Sequence, residues 1–399
     1  MSIGDDAADR CRLEASSFAW GRHLQACVEL PLILSLTNSH FVRFSVTDSG
    51  MRPVSRPTII DLARAAGVSV STVDRVLNGR DPVRQITADR VLEAAERIGF
   101  RGLAALRHRV ANSRPVGRLG FLLQLPAQQE YRMWGERLAE ATRASTIIHG
   151  RPSIRFLDDL SPENVAENIM ALSREVDALA VVAQDHPKIN HAVDMLAADD
   201  VPVFTLVTGL SAQGIAGHIG IDDLKKGRTA AWFIHGLSHR HRAEADYKVA
   251  VLMGSARYVS QDLAEAGFRS YLREHAPDAR LIQTSATLED NDQAFSITAD
   301  LLEAQPDIAG IYVAGGGVGG VIAALRTLEK DRLPIVVVNE LTEETRAALA
   351  DDVVEVVLSH PAKTMAKSAV EVMARNLTHP DQGRQQHLLA FEIFTAENI

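Results

Sequence analysis

One stretch of the chain combines an arginine with small polar and apolar residues at a spacing suited to DNA contact. On a helix, Val70, Ser71 and Arg75 would lie on one exposed face. Arginine bonds the O6 and N7 atoms of guanine, serine bonds a phosphate or a base edge, and valine packs on a thymine methyl group. Together with Asp74 on the same face, these residues suit a helix that lies in the major groove, and an ordinary helical hairpin is the alternative.

The charge distribution supports a phosphate-binding module at this position. Between Arg52 and Arg114 the chain has 12 arginines, no lysine and six acidic residues, a net charge of +6. Residues 115–399 carry −13, and the whole chain carries −9. A small basic module on an acidic body is typical of a protein with one nucleic-acid-binding part. A basic surface with no partner is the alternative.

A second set of polar residues lies at or beyond the ends of predicted strands. Ligands of open parallel sheets bind at the carboxyl ends of the strands. Carboxylates, amides, an arginine and aromatic faces suit a sugar or another polyol. The alternative for each residue is that it caps the following helix. The predicted ligand-binding residues are Gln124, Tyr131, Asp185, His186, Asp222, Arg257, Gly316 and Glu340.

The glycine run Gly315–Gly320 contains the spacing GxGxxG, and Glu340 follows it by 20 residues. This pattern matches the dinucleotide-binding fingerprint, so an NAD-dependent dehydrogenase is an alternative function. The run lies late in the chain, however, and does not open a mononucleotide-binding half. We therefore favour the interpretation that these glycines let the backbone approach a ligand.

Composition and motifs exclude several other classes. The chain is 46% hydrophobic and 23% charged, which is typical of a folded globular protein. Its two cysteines, Cys11 and Cys27, leave the body without a disulfide framework or a cysteine metal site. No apolar run is long enough to span a membrane, and no secretory signal is recognisable. We expect a cytoplasmic protein that is not an enzyme and has no metal or cofactor.

The basic module shows the pattern of a helix-turn-helix. Thr58 and Asp61 form a capping-box-like start, and apolar residues then recur on one helical face. Gly67 suits a left-handed turn, and Ser69 can cap a second helix ending near Asn78. A third amphipathic helix follows from Thr87 to about Ile98. Such a unit can lay its second helix in the major groove.

The run from Thr58 to Gly79 resembles the headpiece of lactose-repressor-family transcription regulators. The spacing of Thr, Asp, Ala-Gly-Val-Ser, Thr-Val, Arg-Val and Asn carries the resemblance. It implies that Val70, Ser71 and Arg75 contact bases. It also implies that four residues contact phosphates or support the fold: Thr58, Ser69, Thr72 and Asn78. The family usually has serine where Asp74 stands, and this carboxylate would either orient Arg75 or accept from a cytosine amine.

The family joins headpiece to core through a short helix whose leucine wedges into the minor groove. Here Phe100 is followed by Arg101-Gly102-Leu103-Ala104-Ala105-Leu106, without the usual Pro-Asn. By this resemblance Leu106 or Leu103 is the wedge.

Beyond Arg118, short apolar runs alternate with helical patterns. This rhythm predicts parallel sheets covered by helices, arranged in two lobes that separate near Leu237–Tyr247. The predicted strands are Leu119–Leu123, Ile154–Leu157, Ala178–Val182, Pro202–Leu206, Lys248–Met253, Leu281–Gln283, Gly310–Val313, Ile335–Val338 and Val353–Leu358.

The body resembles the periplasmic sugar-binding-protein-like core of the same family. Gly220-Ile221-Asp222, Ala314–Gly317 and Val338–Thr342 carry the resemblance. The family usually has aspartate at the position of Glu340 and often arginine near Ala264, so Arg257 is a possible substitute.

We therefore predict an all-α helix-turn-helix headpiece joined to an α/β two-lobed core of the periplasmic-binding-protein-like type. The predicted domains are a disordered or mis-started extension (1–51), the headpiece (52–100), a hinge (101–115) and the ligand-binding and dimerisation core (116–399). The predicted function is a transcription regulator, in its family most often a repressor, controlled by a small sugar or polyol. Its expected partners are a pseudo-palindromic DNA operator and further copies of itself, as a homodimer or tetramer. A small-molecule receptor without a DNA role is the other alternative.

Overall fold

The computed structural model describes residues 56–79, 83, 85–241, 248–380 and 383–399. The predicted N-terminal extension therefore lies outside the described residues. Within them, the headpiece contains α1 (Ile59–Ala66), α2 (Val70–Asn78) and α3 (Gln85–Ile98), and α4 (Leu103–Asn112) follows.

Local signals begin and end the first two helices. Thr58 and Asp61 form a reciprocal capping box at the start of α1, and Gly67 ends this helix with φ of 65°. The Ser69 side chain accepts from the Thr72 amide at the start of α2, and Gly79 ends α2 with φ of 63°.

The helices share one apolar core. Leu62 of α1, Val73 of α2 and Val91 of α3 are fully buried in it. Leu106 of α4 is fully buried in the same cluster. Because burying one leucine contributes about 1.5–3 kcal/mol, α4 is held to the headpiece as a fourth helix.

The core contains two sheets and the helices that cover them. The first half of its elements is β1 (Val116–Gln124), α5 (Gln129–Arg143), β2 (His149–Leu157), α6 (Pro162–Ser173), β3 (Ala178–Val181), α7 (Pro187–Ala198), β4 (Val203–Leu206) and β5 (Ile215–Ile221). The next elements are α8 (Asp223–His241), β6 (Lys248–Met253), α9 (Val259–His275), β7 (Arg280–Ala286), α10 (Asn291–Ala304), β8 (Gly310–Val313) and α11 (Val318–Leu325). The last are a 3-10 turn (Lys330–Arg332), β9 (Ile335–Asn339), α12 (Glu343–Ala350), β10 (Val356–Ser359), α13 (Ala362–Thr378), β11 (Gln385–Leu389) and β12 (Glu392–Phe394).

Each lobe is built on a six-stranded sheet. The first has the order β11-β5-β4-β3-β1-β2, with every pairing parallel. The second has the order β12-β10-β9-β8-β6-β7 and is parallel except for β12. Strands β3, β4 and β8 are buried at every residue, as expected for strands covered by helices on both faces.

The chain crosses between the lobes earlier than predicted. Ala230, Ala231 and Ile234 of α8 already pack in the core of the second lobe, so the crossing follows β5. The predicted break near Leu237–Tyr247 is therefore wrong where it falls on described residues. The chain returns between β10 and α13, which packs on the first lobe, and crosses again between β11 and β12.

The nine predicted strands are present, with boundaries differing by up to five residues. Three further strands, β5, β11 and β12, were not among those predicted. Both β11 and β12 lie at sheet edges and are partly exposed, so their sequences lack a long apolar run. In the described part of the chain, no helix is both long and apolar enough to cross a membrane.

Candidate functional site

Helix α2 presents its predicted DNA-contacting residues to solvent. Val73 and Val76 face the headpiece core, which leaves Val70, Ser71 and Arg75 exposed on the opposite face. Val70 is 46% exposed, so about half of this apolar side chain faces solvent.

The small polar residues of α2 hold one another. The Ser69 hydroxyl lies 2.8 Å from the hydroxyls of both Ser71 and Thr72. Asn78 donates from its side-chain amide to the Asp74 carboxylate. Asp74 therefore pairs with Asn78, and of the two roles predicted for it, orientation of Arg75 is not the one that the structure shows.

Several arginines of the basic module hold the headpiece together. Arg90 donates to the carbonyl of Ala66 at the end of α1, and Arg97 donates to that of Ala65. Arg109 of α4 donates to the carbonyl of Leu77 near the end of α2. Cations at helix carboxyl ends are stabilising, so part of the +6 charge has a structural role that the sequence count did not separate.

Leu106 lies inside the headpiece core with no exposed surface. Leu103, the other predicted wedge, packs against the same core. In this conformation neither side chain can enter a minor groove unless α4 detaches. In this conformation Leu106 is a core residue of the headpiece and not a surface residue.

The carboxyl ends of the core strands meet between the two lobes, and Gln124 is the centre of a network there. Tyr131 of the first lobe and Tyr258 of the second both donate to its side-chain oxygen, at 3.1 and 2.9 Å. Its amide donates to the Val182 carbonyl at 3.0 Å. Gln124 is buried, so the bond from Tyr258 joins the two lobes away from water.

Further hydrogen bonds close the cleft around this network. The amide of Asp185 donates to the carbonyl of Arg257 at 2.8 Å. Gln128 donates to the Glu289 carbonyl at 3.0 Å, and the Glu343 amide donates to Gln129 at 2.9 Å. The two lobes are therefore in direct contact in this structure.

Among the described residues, four buried polar atoms at the cleft have no hydrogen-bond partner. They are Oε1 of Gln128, Nε1 of Trp134, Oδ1 of Asn339 and Nε2 of His360. The rings of Trp134 and His360 lie 5.6 Å apart, and the other nitrogen of His360 bonds Glu340. An unpaired buried polar atom costs about 1–3 kcal/mol, so this group points to ligand contact.

Three glutamates bring negative charge to the same place. Burial, with Glu340 and Glu289 nearby, raises the pKa of Glu130 to about 7. Burial also raises the pKa of Glu289, against hydrogen bonds from Gln261 and the Gly316 amide. Burial alone would raise the pKa of Glu340 as well. His360 and Lys226 outweigh this effect, so the pKa of Glu340 is lowered.

Positive φ angles at residues other than glycine mark the same strand ends. Leu125 follows β1 and Val207 follows β4, with φ of 37° and 65°. Leu288 and Glu289 follow β7, and Glu340 follows β9, with φ between 54° and 62°. Such conformations cost about 1–3 kcal/mol each and concentrate at binding sites.

The predicted ligand residues fall into two groups. Gln124, Tyr131 and Glu340 lie in the network between the lobes, and the backbone of Gly316 contacts Glu289. The others mainly support nearby backbone. Asp185 accepts from Asn190 and Ser211, His186 caps α7, and Asp222 caps α8 and pairs with Lys225. The Arg257 side chain is exposed.

The remaining residues of the cleft were not predicted. Glu130 and Trp134 lie on α5, where they are indistinguishable from ordinary helix residues by sequence. Glu289 follows a strand whose predicted end was three residues early. Asn339 and His360 follow the predicted strands Ile335–Val338 and Val353–Leu358, but neither was among the predicted ligand-binding residues.

The glycine run does not have the surroundings of a dinucleotide site. A Cβ atom on Gly316 would lie 2.0 Å from Oε2 of Glu289, and one on Gly320 would lie 1.9 Å from the Asn291 carbonyl oxygen. A carboxylate thus occupies the start of α11, where a pyrophosphate would have to bind. The glycines let the backbone pack against Glu289 and α10.

Comparison with known protein families identifies both parts. Residues 58–102 match the model described as bacterial regulatory proteins, lacI family. Residues 161–381 match the periplasmic binding protein domain, more than half of the chain.

Individual proteins are also similar to parts of this chain. Catabolite control protein A of Priestia megaterium is 50% identical over 50 residues, which is 12% of this chain and 15% of that protein. The HTH-type transcriptional regulator reg1 of Streptomyces lividans is 27% identical over 220 residues, 54% of this chain and 59% of that protein. The alignments thus span less than two thirds of these relatives.

Among solved structures, a solute binding protein from Agrobacterium vitis bound with α-D-tagatopyranose shares the fold of the core. The TM-score is 0.63 at 16% identity, over 71% of this chain and 95% of that one. Together with the helical headpiece and the matched domains, these similarities show that the chain belongs to the lacI family of bacterial regulatory proteins and has a periplasmic-binding-protein-like core.

Proposed function

We propose that this chain is a sequence-specific DNA-binding transcription regulator whose operator affinity is set by a sugar or polyol bound between its two lobes. The observation that carries the proposal is the exposed α2 face, with Val70, Ser71 and Arg75, on a headpiece joined to a cleft lined with unpaired polar atoms. Repression is the expected outcome of operator binding.

The exposed face of α2 fits a major groove. Arg75 would bond guanine, and Val70 would pack on a thymine methyl group. Ser71 would bond a base edge or a phosphate. The phosphate contacts would come from Thr58, Ser69, Thr72 and Asn78. Because Asn78 holds Asp74, its substitution would also release a carboxylate close to DNA.

The cleft supplies the groups that a polyol needs. Trp134 can donate a hydrogen bond to a hydroxyl oxygen, and the Asn339 oxygen can accept one from a hydroxyl group. Each carboxylate can accept hydrogen bonds from two hydroxyl groups. A ligand that rearranges the bonds of Gln124 would change how the lobes meet. A coupling free energy of about 1–3 kcal/mol between cleft and headpiece would alter operator affinity 5- to 150-fold.

Operator recognition by two headpieces requires at least a homodimer. Two copies of α2 would contact half-sites about 34 Å apart, or a multiple of that distance, on a pseudo-palindromic operator.

The test is selection of genomic DNA fragments by the purified full chain at moderate salt, followed by sequencing. We expect a pseudo-palindromic motif in which Arg75→Ala removes the base preference at one position of each half-site. Arg326→Ala, which removes an arginine from the surface of the second lobe, should keep the whole motif. Retention of DNA without a motif, or of no DNA, would overturn the proposal. Addition of sugars and polyols to the complex then tests the effector part.

A further inference from the structure

The cleft has more carboxylates than cations. Glu130 lies in the first turn of α5, Glu289 follows β7 and Glu340 follows β9. Gln128, two residues before Glu130, donates to the Glu289 carbonyl at 3.0 Å. The ring of His360, which bonds Glu340, lies 5.6 Å from that of Trp134 on α5. These contacts bring the three elements together, and Glu340 and Glu289 both raise the pKa of Glu130.

The cations close to them already have partners. Lys226 is buried against Asp223, with 2.9 Å between the ammonium and the carboxylate. His360 bonds Glu340 through Nδ1 at 2.5 Å. Arg132 influences Glu130, but it is exposed and its guanidinium donates to the carbonyls of Pro126 and Ala127. Within the described residues, these contacts give Glu130 and Glu289 no dedicated cationic partner.

Glu289 is also fixed in place. Gln261 donates to its Oε1 at 2.8 Å, and its side chain fills the space between Gly254 and Gly316. The carboxylate therefore cannot turn away toward water, and a second negative charge nearby makes its burial more costly.

Unpaired polar atoms lie in the same place. Trp134 is 4% exposed and His360 is 3% exposed, and each has an unbonded ring nitrogen. The Nδ1 edge of His360 is held by Glu340, which leaves the opposite edge of the ring for another group.

We propose that the effector is an amino sugar or amino polyol, whose protonated nitrogen is bound by Glu130 and Glu289 while its hydroxyl groups bond Trp134, Asn339 and His360. This inference rests on the proposed function and specifies its ligand. Burial raises the pKa of Glu130 and Glu289, and a bound ammonium group would favour the ionised form of both. A neutral sugar would supply no such charge, and a phosphorylated or carboxylated sugar would be repelled by the ionised carboxylates.

The experiment is a calorimetric titration of the full chain with matched pairs of ligands. The pairs are D-glucose with D-glucosamine, D-galactose with D-galactosamine, and D-sorbitol with 1-amino-1-deoxy-D-sorbitol. N-acetyl-D-glucosamine is a control that keeps the substituent but removes the charge. We expect at least one amine to bind about tenfold or more tightly than its hydroxyl partner.

Two variants of one helix test the role of the carboxylate. Glu130→Gln should reduce the amine preference by most of that factor. Glu136→Gln removes the same charge from an exposed position of α5 and should keep the preference.

Equal binding of an amine and its neutral partner would overturn this inference and leave the proposed function intact. Retention of the preference in Glu130→Gln would also overturn it. If every ligand fails to bind while the chain still selects its operator, both the amino-sugar inference and the proposed sugar or polyol effector are wrong. The DNA-binding part of the proposed function would remain.

Discussion

The recognition helix and the cleft differ in how far apart in the sequence their hydrogen-bonding partners lie. Thr58 bonds Asp61 three residues away, and Asp74 bonds Asn78 four residues away. In the cleft, the bond between Tyr258 and Gln124 spans 134 residues, that between Gln128 and Glu289 spans 161, and that between Glu343 and Gln129 spans 214.

The two regions also differ in exposure. The polar groups of α2 are largely solvated and exchange water for phosphate or base contacts when DNA binds. Those of the cleft are buried, so each one that lacks a partner destabilises the protein until a ligand supplies one. We conclude that the exposed surface of α2 tolerates substitution in the free protein, whereas a substitution in the cleft changes the hydrogen bonds of the free protein as well.

The largest effect on stability is expected for a fully buried residue of the headpiece core. Leu106→Ala should lower the free energy of unfolding of the headpiece by about 2–5 kcal/mol, because it removes a fully buried leucine. Hydrogen exchange of α1 to α4 in the DNA-free chain measures this loss.

The matched control is Ile86→Ala on the exposed surface of α3, which should change the same protection little. If Leu106→Ala leaves protection unchanged and weakens only operator binding, Leu106 acts as a wedge and its packing in the headpiece is not its main role.

The next effect concerns the exposed surface of α2. Arg75→Ala should cost about 1–3 kcal/mol of discrimination at one base pair, because a bidentate guanine contact is lost. Fluorescence anisotropy with the selected operator and with single-base variants measures it. An equal loss of affinity for every sequence would show instead that Arg75 contacts phosphate.

The short separations explain why the headpiece was predictable from sequence. The cap residues Thr58 and Ser69 and the glycines after α1 and α2 act on backbone within a few residues of themselves. The tertiary contacts of the headpiece could not be predicted from the sequence. Arg90 and Arg97 reach carbonyls 24 and 32 residues away, and their spacing shows no trace of this.

For the cleft, the sequence predicted the location but not the contacts. The alternation of strands and helices located the strand ends, and hence Gln124 and Glu340. It could not show that Asp185 and Asp222 would bond their own loops and helices, or that Glu130 would face two other carboxylates across the cleft. Those outcomes depend on how the two lobes meet.

A pH titration compares a carboxyl group of the cleft with one outside it. The pKa of Glu130 is raised to about 7, and burial raises that of Glu355 to about 7 as well, although Glu355 bonds the Val336 amide away from the cleft. The folded chain therefore holds more protons than the unfolded chain above pH of about 4.3, and stability falls as pH rises to about 7.

Each group contributes at most about 1.4 kcal/mol per pH unit to this decline. Glu130→Gln and Glu355→Gln should each flatten the pH dependence of urea unfolding, but only Glu130→Gln should change effector binding. A decline that neither variant alters would show that other groups cause it.

The smallest effect comes from one bond across the cleft. Tyr258→Phe removes a donor to Gln124, which keeps the bond from Tyr131, so the free energy of unfolding should fall by only about 0.5–1.5 kcal/mol. Small-angle scattering should show a wider separation of the lobes. Tyr271→Phe on α9 removes a hydroxyl that bonds His235 within the second lobe, and should destabilise without opening the cleft. If both variants leave the lobe separation unchanged, the network around Gln124 is not what holds the lobes together.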